Sequence, residues 1–128
     1  MDLTILFSPL DESIYEPIHD GSSLGKSIRL FGDKMPDYKN ADMAIFGIKE
    51  ERGTSTNQGC KEGPDEIRKK LYRLKRGLGK NNIVDLGNLN PGVDLEETYV
   101  RASEVCRILL ENNVLPIILG GSHDLDYG

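Results

Sequence analysis

The sequence predicts an α/β protein of three layers, in which flanking helices cover a mostly parallel β-sheet. Two observations support this fold class. After residue 41, apolar runs alternate with two amphipathic segments in the order strand, helix, strand, helix, strand. The last apolar run is nearly free of polar residues, which is typical of a strand covered on both faces. Because strand–helix–strand units cross over with a right hand, the alternation indicates parallel strands with helices packed against them.

Length and composition favour one globular domain. The chain has 128 residues, of which 38% are hydrophobic and 29% charged, and its formal net charge is −5. This is enough material for one core, so we expect residues 1–128 to form a single α/β domain. The acidic balance predicts no basic surface for nucleic acid or an anionic membrane. Two distant cysteines and an N-terminus without a signal peptide or membrane span predict a cytoplasmic protein.

The first half of the chain contains three strand candidates. They are residues 3–9 (LTILFSP), 26–32 (KSIRLFG) and 41–48 (ADMAIFGI). Residues 11–25 lack helical and strand periodicity, which predicts a loop with at most one turn of helix. Residues 49–63 are polar and contain several glycines, which predicts a long connection. Loops of that length are uncommon in compact domains and are often functional or mobile.

The clearest helix signal begins at Pro64. Proline is favoured at a first helical position, and acidic residues follow it while basic residues lie near residue 76, as the helix dipole favours. Gly77 offers a left-handed stop. The predicted apolar stripe of this helix consists of Ile67, Leu71 and Leu74.

A strand and a second helix follow. Residues 81–88 (NNIVDLGN) form the strand candidate. Asp94, with Glu97 three residues later, resembles a capping box at the start of a helix. Apolar residues then recur at spacings of three and four and predict a helix to about Asn112. Its predicted apolar face consists of Leu95, Tyr99, Ala102, Cys106 and Leu109.

Residues 114–121 (VLPIILGG) are the last strand candidate, and Pro116 conflicts with a central position for it. Proline cannot donate a hydrogen bond to a neighbouring strand. We therefore expect Pro116 at the start of the strand, or with its nitrogen pointing away from a partner.

Polar residues follow the predicted strands where a ligand site would form. In open parallel sheets, ligands bind beyond the carboxyl ends of the strands, which fall here at residues 47–50, 85–88 and 120–124. Imidazole is the commonest protein metal ligand, so His123 is a candidate ligand, with Asp124 and Asp126 to ligate or orient it. The residues alone leave another interpretation open, in which Asp124 caps a following helix. A metal site needs three or more protein ligands, and no spacing links His19 to His123.

Two further segments favour no site. Gly21–Ser27 (GSSLGKS) resembles a phosphate-binding loop, but it has three residues between its glycines where the motif has four, and it precedes a strand-like run. A stand-alone nucleotide-binding domain is therefore a weak alternative. Cys60 lies in a polar loop without a partnered histidine, which favours an inert thiol over a nucleophile.

Four segments together resemble the N-terminal half of the ureohydrolase family, which comprises arginases, agmatinases and formimidoylglutamases. They are ADMAIFGIKEE (41–51), NQGCKEGPDEIRKKLYRL (57–74), IVDLGN (83–88) and LPIILGGSHDL (115–125). Their order and spacing match the family's early strand, Asn-x-Gly loop with Gly-Pro-x-x-Ile-Arg helix start, Val-Asp-x-Gly strand end and Gly-Gly-Asp-His-Ser motif. The Asn57–Gly59 loop and Asp124 favour the formimidoylglutamase-like branch.

The resemblance implies a manganese-dependent hydrolase of a small guanidino or formimidoyl compound, commonly a homo-oligomer. Two Mn²⁺ ions would hold a hydroxide that attacks the guanidinium or amidine carbon, because water bound to cations deprotonates near neutral pH. By the same resemblance, His123 is the first metal ligand. The family's other ligands lie in Asp-x-His-x-Asp and Asp-x-Asp segments that have no counterpart among the 128 residues. We therefore expect an N-terminal fragment of a longer domain, inactive alone, whose unpartnered last strand promotes dimerisation or aggregation.

Ser122 departs from the family pattern, which has aspartate at this position. Losing a carboxylate that orients a metal ligand costs about 10–100-fold in metal affinity or activity. This departure favours the alternative interpretation, in which the chain is a catalytically incompetent relative that serves as a structural or regulatory α/β module.

Overall fold

The computed structural model of the chain describes residues 3–49, 63–75 and 82–120. The strands are β1 (Phe7–Ser8), β2 (Arg29–Leu30), β3 (Met43–Ile48), β4 (Ile83–Leu89) and β5 (Leu115–Gly120). The helices are α1 (Glu12–Tyr15), α2 (Leu24–Ser27), α3 (Gly63–Leu71) and α4 (Leu95–Glu111), and a short 3-10 turn at Leu3–Leu6 precedes β1. None of the helices in these three ranges is long and apolar enough to cross a membrane.

The strands form one mostly parallel sheet in the order β1-β4-β3-β5. Strand β3 pairs in parallel with β4 and with β5. The other side of β4 pairs in parallel with β2 near its start and antiparallel with β1 near its end. The predicted α/β class with a mostly parallel sheet is confirmed.

Helices α3 and α4 lie on opposite faces of this sheet, because the crossovers from β3 to β4 and from β4 to β5 run in opposite directions. On one face, α4 buries side chains against β3 and β4; this core includes Ala102, Val105, Leu109, Phe46 and Leu86. On the other face, Tyr72 at the end of α3 packs with Ile45, Leu119, Ile14, Ile18 and Ile28. The sheet is therefore the middle of three layers.

The predicted strand at residues 3–9 is mostly wrong. Leu3–Leu6 forms a 3-10 turn, and only Phe7–Ser8 pairs with β4. Leu3 and Phe7 are both buried while Ile5 is exposed, a spacing of four that a helical turn satisfies and an alternating strand does not. Residues 26–32 are likewise shorter as a strand than predicted, because Leu24–Ser27 forms a helical turn before β2.

Helix α3 is confirmed, but its predicted apolar stripe is correct only for Leu71, which packs against the core. Ile67 and Leu74 are 43% and 58% exposed, whereas Arg68 and Tyr72 are fully buried. The helix turns Arg68 toward the sheet because this side chain pairs with the buried Asp85 of β4. A buried carboxylate needs such a partner more than an aliphatic side chain needs burial.

Helix α3 also ends earlier than predicted, at Leu71. The residues after it are held by the segment around α2: Leu24 N–H donates to the Leu74 carbonyl at 2.6 Å and Gly25 N–H donates to the Tyr72 carbonyl at 2.9 Å. Both amides belong to the glycine-containing segment that resembles a phosphate-binding loop, and they donate to the residues that follow α3. The predicted stop at Gly77 lies outside the described residues.

Helix α4 is confirmed with its predicted start. The Asp94 carboxylate accepts from Glu97 N–H at 2.8 Å, and the Glu97 carboxylate accepts from Val93 N–H at 2.9 Å. The buried positions are Thr98, Ala102, Val105 and Leu109. The predicted Leu95, Tyr99 and Cys106 lie at the border of this face, half-buried.

The Asp94 cap makes a measurable contribution to stability. We expect Asp94→Ala to lower the free energy of unfolding by about 1 kcal/mol, because Glu97 N–H then loses its acceptor. Urea denaturation followed by circular dichroism measures the change. Asp33→Ala, at an exposed aspartate outside the helices, is the matched control; equal losses in the two variants would contradict a capping role for Asp94.

Strand β5 lies at the edge of the described sheet and has β3 as its one partner there. Leu115 N–H donates to the Asp42 carbonyl at 3.0 Å. Since N–H groups alternate in direction along a strand, the Pro116 nitrogen points away from β3, as predicted. The prediction that both faces of β5 are covered is wrong for the described residues, in which Leu115 and Ile118 are 55% and 42% exposed.

Candidate functional site

The candidate site lies at the carboxyl edge of the parallel strands. Strand β5 runs parallel to β3 as far as Gly120, so its carboxyl end lies at the same edge as Ile48 and Lys49. The predicted ligand His123, with Ser122, Asp124 and Asp126, lies outside the described residues, as does Cys60. The interpretations of these residues stay predictions.

The start of α3 lies at this same edge. A β-carbon on Gly63 would stand 3.6 Å from the Gly120 carbonyl oxygen, so the first turn of α3 packs beside the end of β5. Lys49, which follows β3, forms an ion pair with Asp65 in that turn, with Nζ and Oδ2 2.6 Å apart. The first turn of α3 therefore contacts the carboxyl ends of both β3 and β5 and holds them together.

Beneath this turn lies a buried ion pair between Arg68 and Asp85. Arg68 Nε and Nη2 donate to the two carboxylate oxygens of Asp85 at 2.8 and 2.9 Å. Both side chains are fully buried. Bidentate hydrogen bonding between a guanidinium and a carboxylate is among the strongest arrangements that these two groups form. The prediction that Asp85 begins an open strand end is wrong, because it lies inside β4 under α3.

The remaining donors of Arg68 are also satisfied. Nη2 donates to the Gly87 carbonyl at 2.9 Å, and Nη1 donates to Asn88 Oδ1 at 2.6 Å and to Asp65 Oδ1 at 3.1 Å. These bonds, with the two to Asp85, use all five N–H groups of a guanidinium. A buried charge is tolerated only when it is paired and hydrogen-bonded in this way.

The Asp85 carboxylate is equally satisfied. Besides Arg68, it accepts from Gly87 N–H at 2.9 Å and from the Tyr72 hydroxyl. Burial raises the pKa of Tyr72, and the Asp85 charge raises it further, so the phenol stays a donor. Burial opposes the charge of Arg68, but the neighbouring Asp85 raises the Arg68 pKa overall. The Arg68 guanidinium is thus held in its charged form.

Asp65 is ionised as well. Its partial burial raises the pKa, but hydrogen bonds from Lys49 and Asn88 outweigh burial, and the pKa of Asp65 is lowered overall. Asn88 Nδ2 donates to Asp65 Oδ1 at 3.1 Å. The carboxylates at this edge are therefore already neutralised by Lys49 and Arg68.

Gly47 explains how this network fits against the sheet. A β-carbon on Gly47 would lie 2.6 Å from Pro64 Cβ and would overlap Asn88 Oδ1. Glycine at this position of β3 lets α3 approach the strand closely.

The described residues do not by themselves fit a metal ion. No group of three or more His, Cys, Asp and Glu side chains within residues 3–49, 63–75 and 82–120 is placed to hold one. Asp65 and Asp85 are bound to cations of the protein. His19 is exposed beside Asp20, whose partner Lys75 lies beyond the opposite end of α3. The hydrogen-bonded network around Arg68 and Asp85 therefore stabilises the carboxyl edge of the sheet and does not itself form a metal site.

The Arg68–Asp85 network was not predicted from the sequence. A signal for it exists: Asp85 is the one charged residue inside the apolar run IVDLG, and a charge buried there requires a partner. Arg68 and Tyr72, spaced four apart on the preceding helix, are suited to supply it.

Comparison with known protein families shows to which family this chain belongs. The family model described as "Arginase family" matches residues 41–128, more than half of the chain. The chain belongs to the arginase family. The matched part of this arginase-family chain contains β3, α3, β4, α4 and β5, and with them the Arg68–Asp85 pair. The resemblance stated from the sequence is confirmed.

Individual relatives agree with the family model. Formimidoylglutamase of Streptococcus gordonii is 34% identical over 95 residues, covering 70% of this chain and 29% of that protein. Formimidoylglutamase of Streptococcus pyogenes serotype M5 is 31% identical over 96 residues, covering 71% of this chain and 29% of that protein. The chain thus spans less than a third of the length of these relatives.

The fold has a counterpart among solved structures. The agmatine ureohydrolase of Thermoplasma volcanium superposes on 89% of this chain, and on 39% of its own length, with a TM-score of 0.64 and 23% identity. This likeness confirms the arginase-like arrangement of a mostly parallel sheet with flanking helices.

Proposed function

We propose that this arginase-family chain forms the N-terminal part of a manganese-dependent C–N hydrolase that acts on a small guanidino or formimidoyl compound. The observation that carries the proposal is the 34% identity to a formimidoylglutamase over 70% of the chain. It favours a formimidoyl substrate over a guanidino one.

His123 is the proposed metal ligand of this chain. Strand β5 ends at Gly120 at the carboxyl edge of the sheet, three residues before His123, and that edge is where ligands bind in parallel sheets. A bound divalent cation would supply water that deprotonates near neutral pH. Arg68, Asp85 and Asp65 would hold the carboxyl ends of β3 and β5 in place.

We further propose that the 128-residue chain is inactive alone. A metal site needs three or more protein ligands, and the described residues offer no such group. The relatives are more than three times as long as their matched segment, which leaves ample sequence for further ligands. We also propose a homo-oligomeric, cytoplasmic hydrolase; the resemblance to the family supports the first property and the two distant cysteines support the second.

A second candidate function is that of a catalytically incompetent relative. Ser122 in place of the family's aspartate favours it. In that case the complete Arg68 network would serve a structural or regulatory α/β module, and no hydrolysis would follow.

Hydrolase assays and metal analysis of the full gene product test the proposal. We expect it to retain manganese and to hydrolyse formimidoylglutamate in preference to agmatine and arginine. We expect His123→Ala to lower activity by at least about 100-fold, since even the partners of metal ligands are worth about 10–100-fold. His19→Ala, at the other histidine of the chain, is the matched control and should leave activity unchanged.

The outcomes separate the candidates. Bound manganese without hydrolysis of any of the three compounds would favour the incompetent relative. Equal effects of His123→Ala and His19→Ala on metal content would refute the assignment of His123.

A further inference from the structure

Lys49 is a cation at the edge of the sheet where the candidate site lies. It is the first residue after β3. Strands β3 and β5 end side by side, because Ile48 is paired with Gly120 in their parallel register. Adjacent strands lie about 4.8 Å apart. Lys49 therefore lies close to the end of the strand that leads to the proposed metal ligand His123.

The ammonium group of Lys49 differs from the guanidinium groups near this edge in the hydrogen-bond donors that it has left. Arg68 is fully buried, and all of its donors are used. Arg101 donates to a carboxylate and to two backbone carbonyls. The Lys49 side chain is 33% exposed, and among the described residues Asp65 is its one partner. Because an ammonium has three N–H donors, Lys49 can bind a further acceptor.

Four charged side chains form a column that runs from the sheet to the solvent, which we call the charge column. From the inside outward its members are Asp85, Arg68, Asp65 and Lys49, and each is ion-paired with the next. Exposure of the side chains rises from 0% for the inner two to 14% for Asp65 and 33% for Lys49. The charges sum to zero, but they alternate, and the outermost one is positive. The outer end of the column therefore favours an anionic group of a ligand over a cationic one.

A bulge in β4 fixes the middle of the charge column. Asp85 is paired with Ile45 and Asn88 with Gly47, so Phe46 lies opposite two residues of β4. The extra residue turns Asn88 to the same face of the sheet as Asp85. There Asn88 Oδ1 accepts from the buried guanidinium at 2.6 Å, and Nδ2 donates to the outer carboxylate of the column at 3.1 Å. The carboxylate that holds the lysine is thus fixed from below, which lowers the entropy cost of binding a ligand.

We propose that Lys49 binds a carboxylate of the substrate while the formimidoyl group lies at the metal. The proposal rests on the proposed function and names its substrate class, a formimidoyl derivative of an amino acid. The free N–H groups of Lys49 would donate charge-assisted hydrogen bonds to the carboxylate. Formimidoylglutamate belongs to this class. Agmatine does not, since it has no carboxylate and its far end is cationic.

Steady-state kinetics of the full gene product test the proposal. The two substrates are formimidoylglutamate and N-propylformamidine, which has a formimidoyl group but no carboxylate. Lys49→Met removes the charge and keeps the length of the side chain. We expect it to raise KM for formimidoylglutamate by about 10-fold or more, the usual worth of a hydrogen bond to a charged group. Because this contact is remote from the reacting carbon, kcat should change little. KM for N-propylformamidine should stay the same.

Two further variants separate recognition of a carboxylate from a general disturbance of the edge. Lys49→Arg keeps the positive charge and should retain most of the affinity for formimidoylglutamate. Lys69→Met removes a lysine of α3 that is paired with Glu66 at the surface, and it should leave both KM values unchanged. Loss of the Lys49–Asp65 pair as a purely structural support would affect the two substrates alike.

A binding measurement keeps the test independent of hydrolysis. N-formyl-L-glutamate has a carbonyl oxygen in place of the amidine nitrogen and the same carboxylates as formimidoylglutamate. Titration calorimetry should show that the unsubstituted protein binds it at millimolar concentration or below, and that Lys49→Met binds it about 10-fold more weakly. A gene product that hydrolyses neither substrate but shows this difference would refute the proposed function and support the role of Lys49.

Three results would overturn the role of Lys49. They are an equal rise of KM for both substrates in Lys49→Met, equal affinity of the unsubstituted protein and Lys49→Met for N-formyl-L-glutamate, and no binding of this compound by the unsubstituted protein at millimolar concentration. If Lys49→Met does not fold, Lys49→Gln takes its place in each comparison.

Discussion

Arg68→Leu is expected to lower the free energy of unfolding by about 3–5 kcal/mol, because it leaves the buried Asp85 carboxylate without its cation. Leucine keeps much of the side-chain volume, so the loss measures the charge and its hydrogen bonds. The two bonds to Asp85 and those to Gly87, Asn88 and Asp65 disappear together. Urea denaturation of the 128-residue chain, at fixed protein concentration, gives the difference.

Two further variants make this prediction specific. Arg73→Leu, at an exposed arginine just beyond the same helix, should change stability by less than about 0.5 kcal/mol. The double variant Arg68→Leu with Asp85→Leu should regain part of the loss, because replacing both partners removes the uncompensated charge. A loss for Arg68→Leu no larger than that for Arg73→Leu would mean that Asp85 is not buried as an anion.

The order of the main elements could be predicted because their signals are local. Pro64 and Asp94 mark helix starts through backbone chemistry of their own neighbourhood, and the aliphatic runs of β3 and β5 identify strands by composition. The N-terminal residues gave weaker signals. Leu3 and Phe7 belong to a turn and a two-residue strand whose shape depends on pairing with β4.

The orientation of α3 could not be predicted from hydrophobicity. The spacing of apolar residues predicts that Ile67 and Leu74 face the core. The orientation of the helix is instead set by Arg68, whose partner Asp85 lies 17 positions later, in β4. Burial of Asp85 decides which side of the helix faces the sheet, and this is a tertiary effect. The candidate site was predicted as an edge of the sheet, and β5 does end there. The predicted ligand His123 lies outside the described residues, so its role stays a prediction.

Gly87→Ala is expected to lower the free energy of unfolding by about 2–5 kcal/mol, combining a left-handed backbone penalty of about 1–2 kcal/mol with overpacking of about 1–3 kcal/mol. Gly87 has φ +88°, a conformation that side chains with a β-carbon rarely adopt. A β-carbon there would overlap the carbonyl oxygen of Ser8 in the neighbouring β1. To remove this overlap, β1 would have to move away from β4.

Gly87→Ala should also disturb the hydrogen bonds at the candidate site. Gly87 N–H donates to Asp85 and its carbonyl accepts from Arg68, so a shift of this backbone loosens the network that holds the strand exits. Gly21→Ala is the matched control, because a β-carbon on Gly21 would meet nothing within 4 Å. Urea denaturation should separate the two variants, and amide exchange should rise at Asn88 and Leu89 in Gly87→Ala alone. Equal stability of the two variants would contradict the close approach of β1 to β4, and with it the backbone support of the Arg68–Asp85 pair.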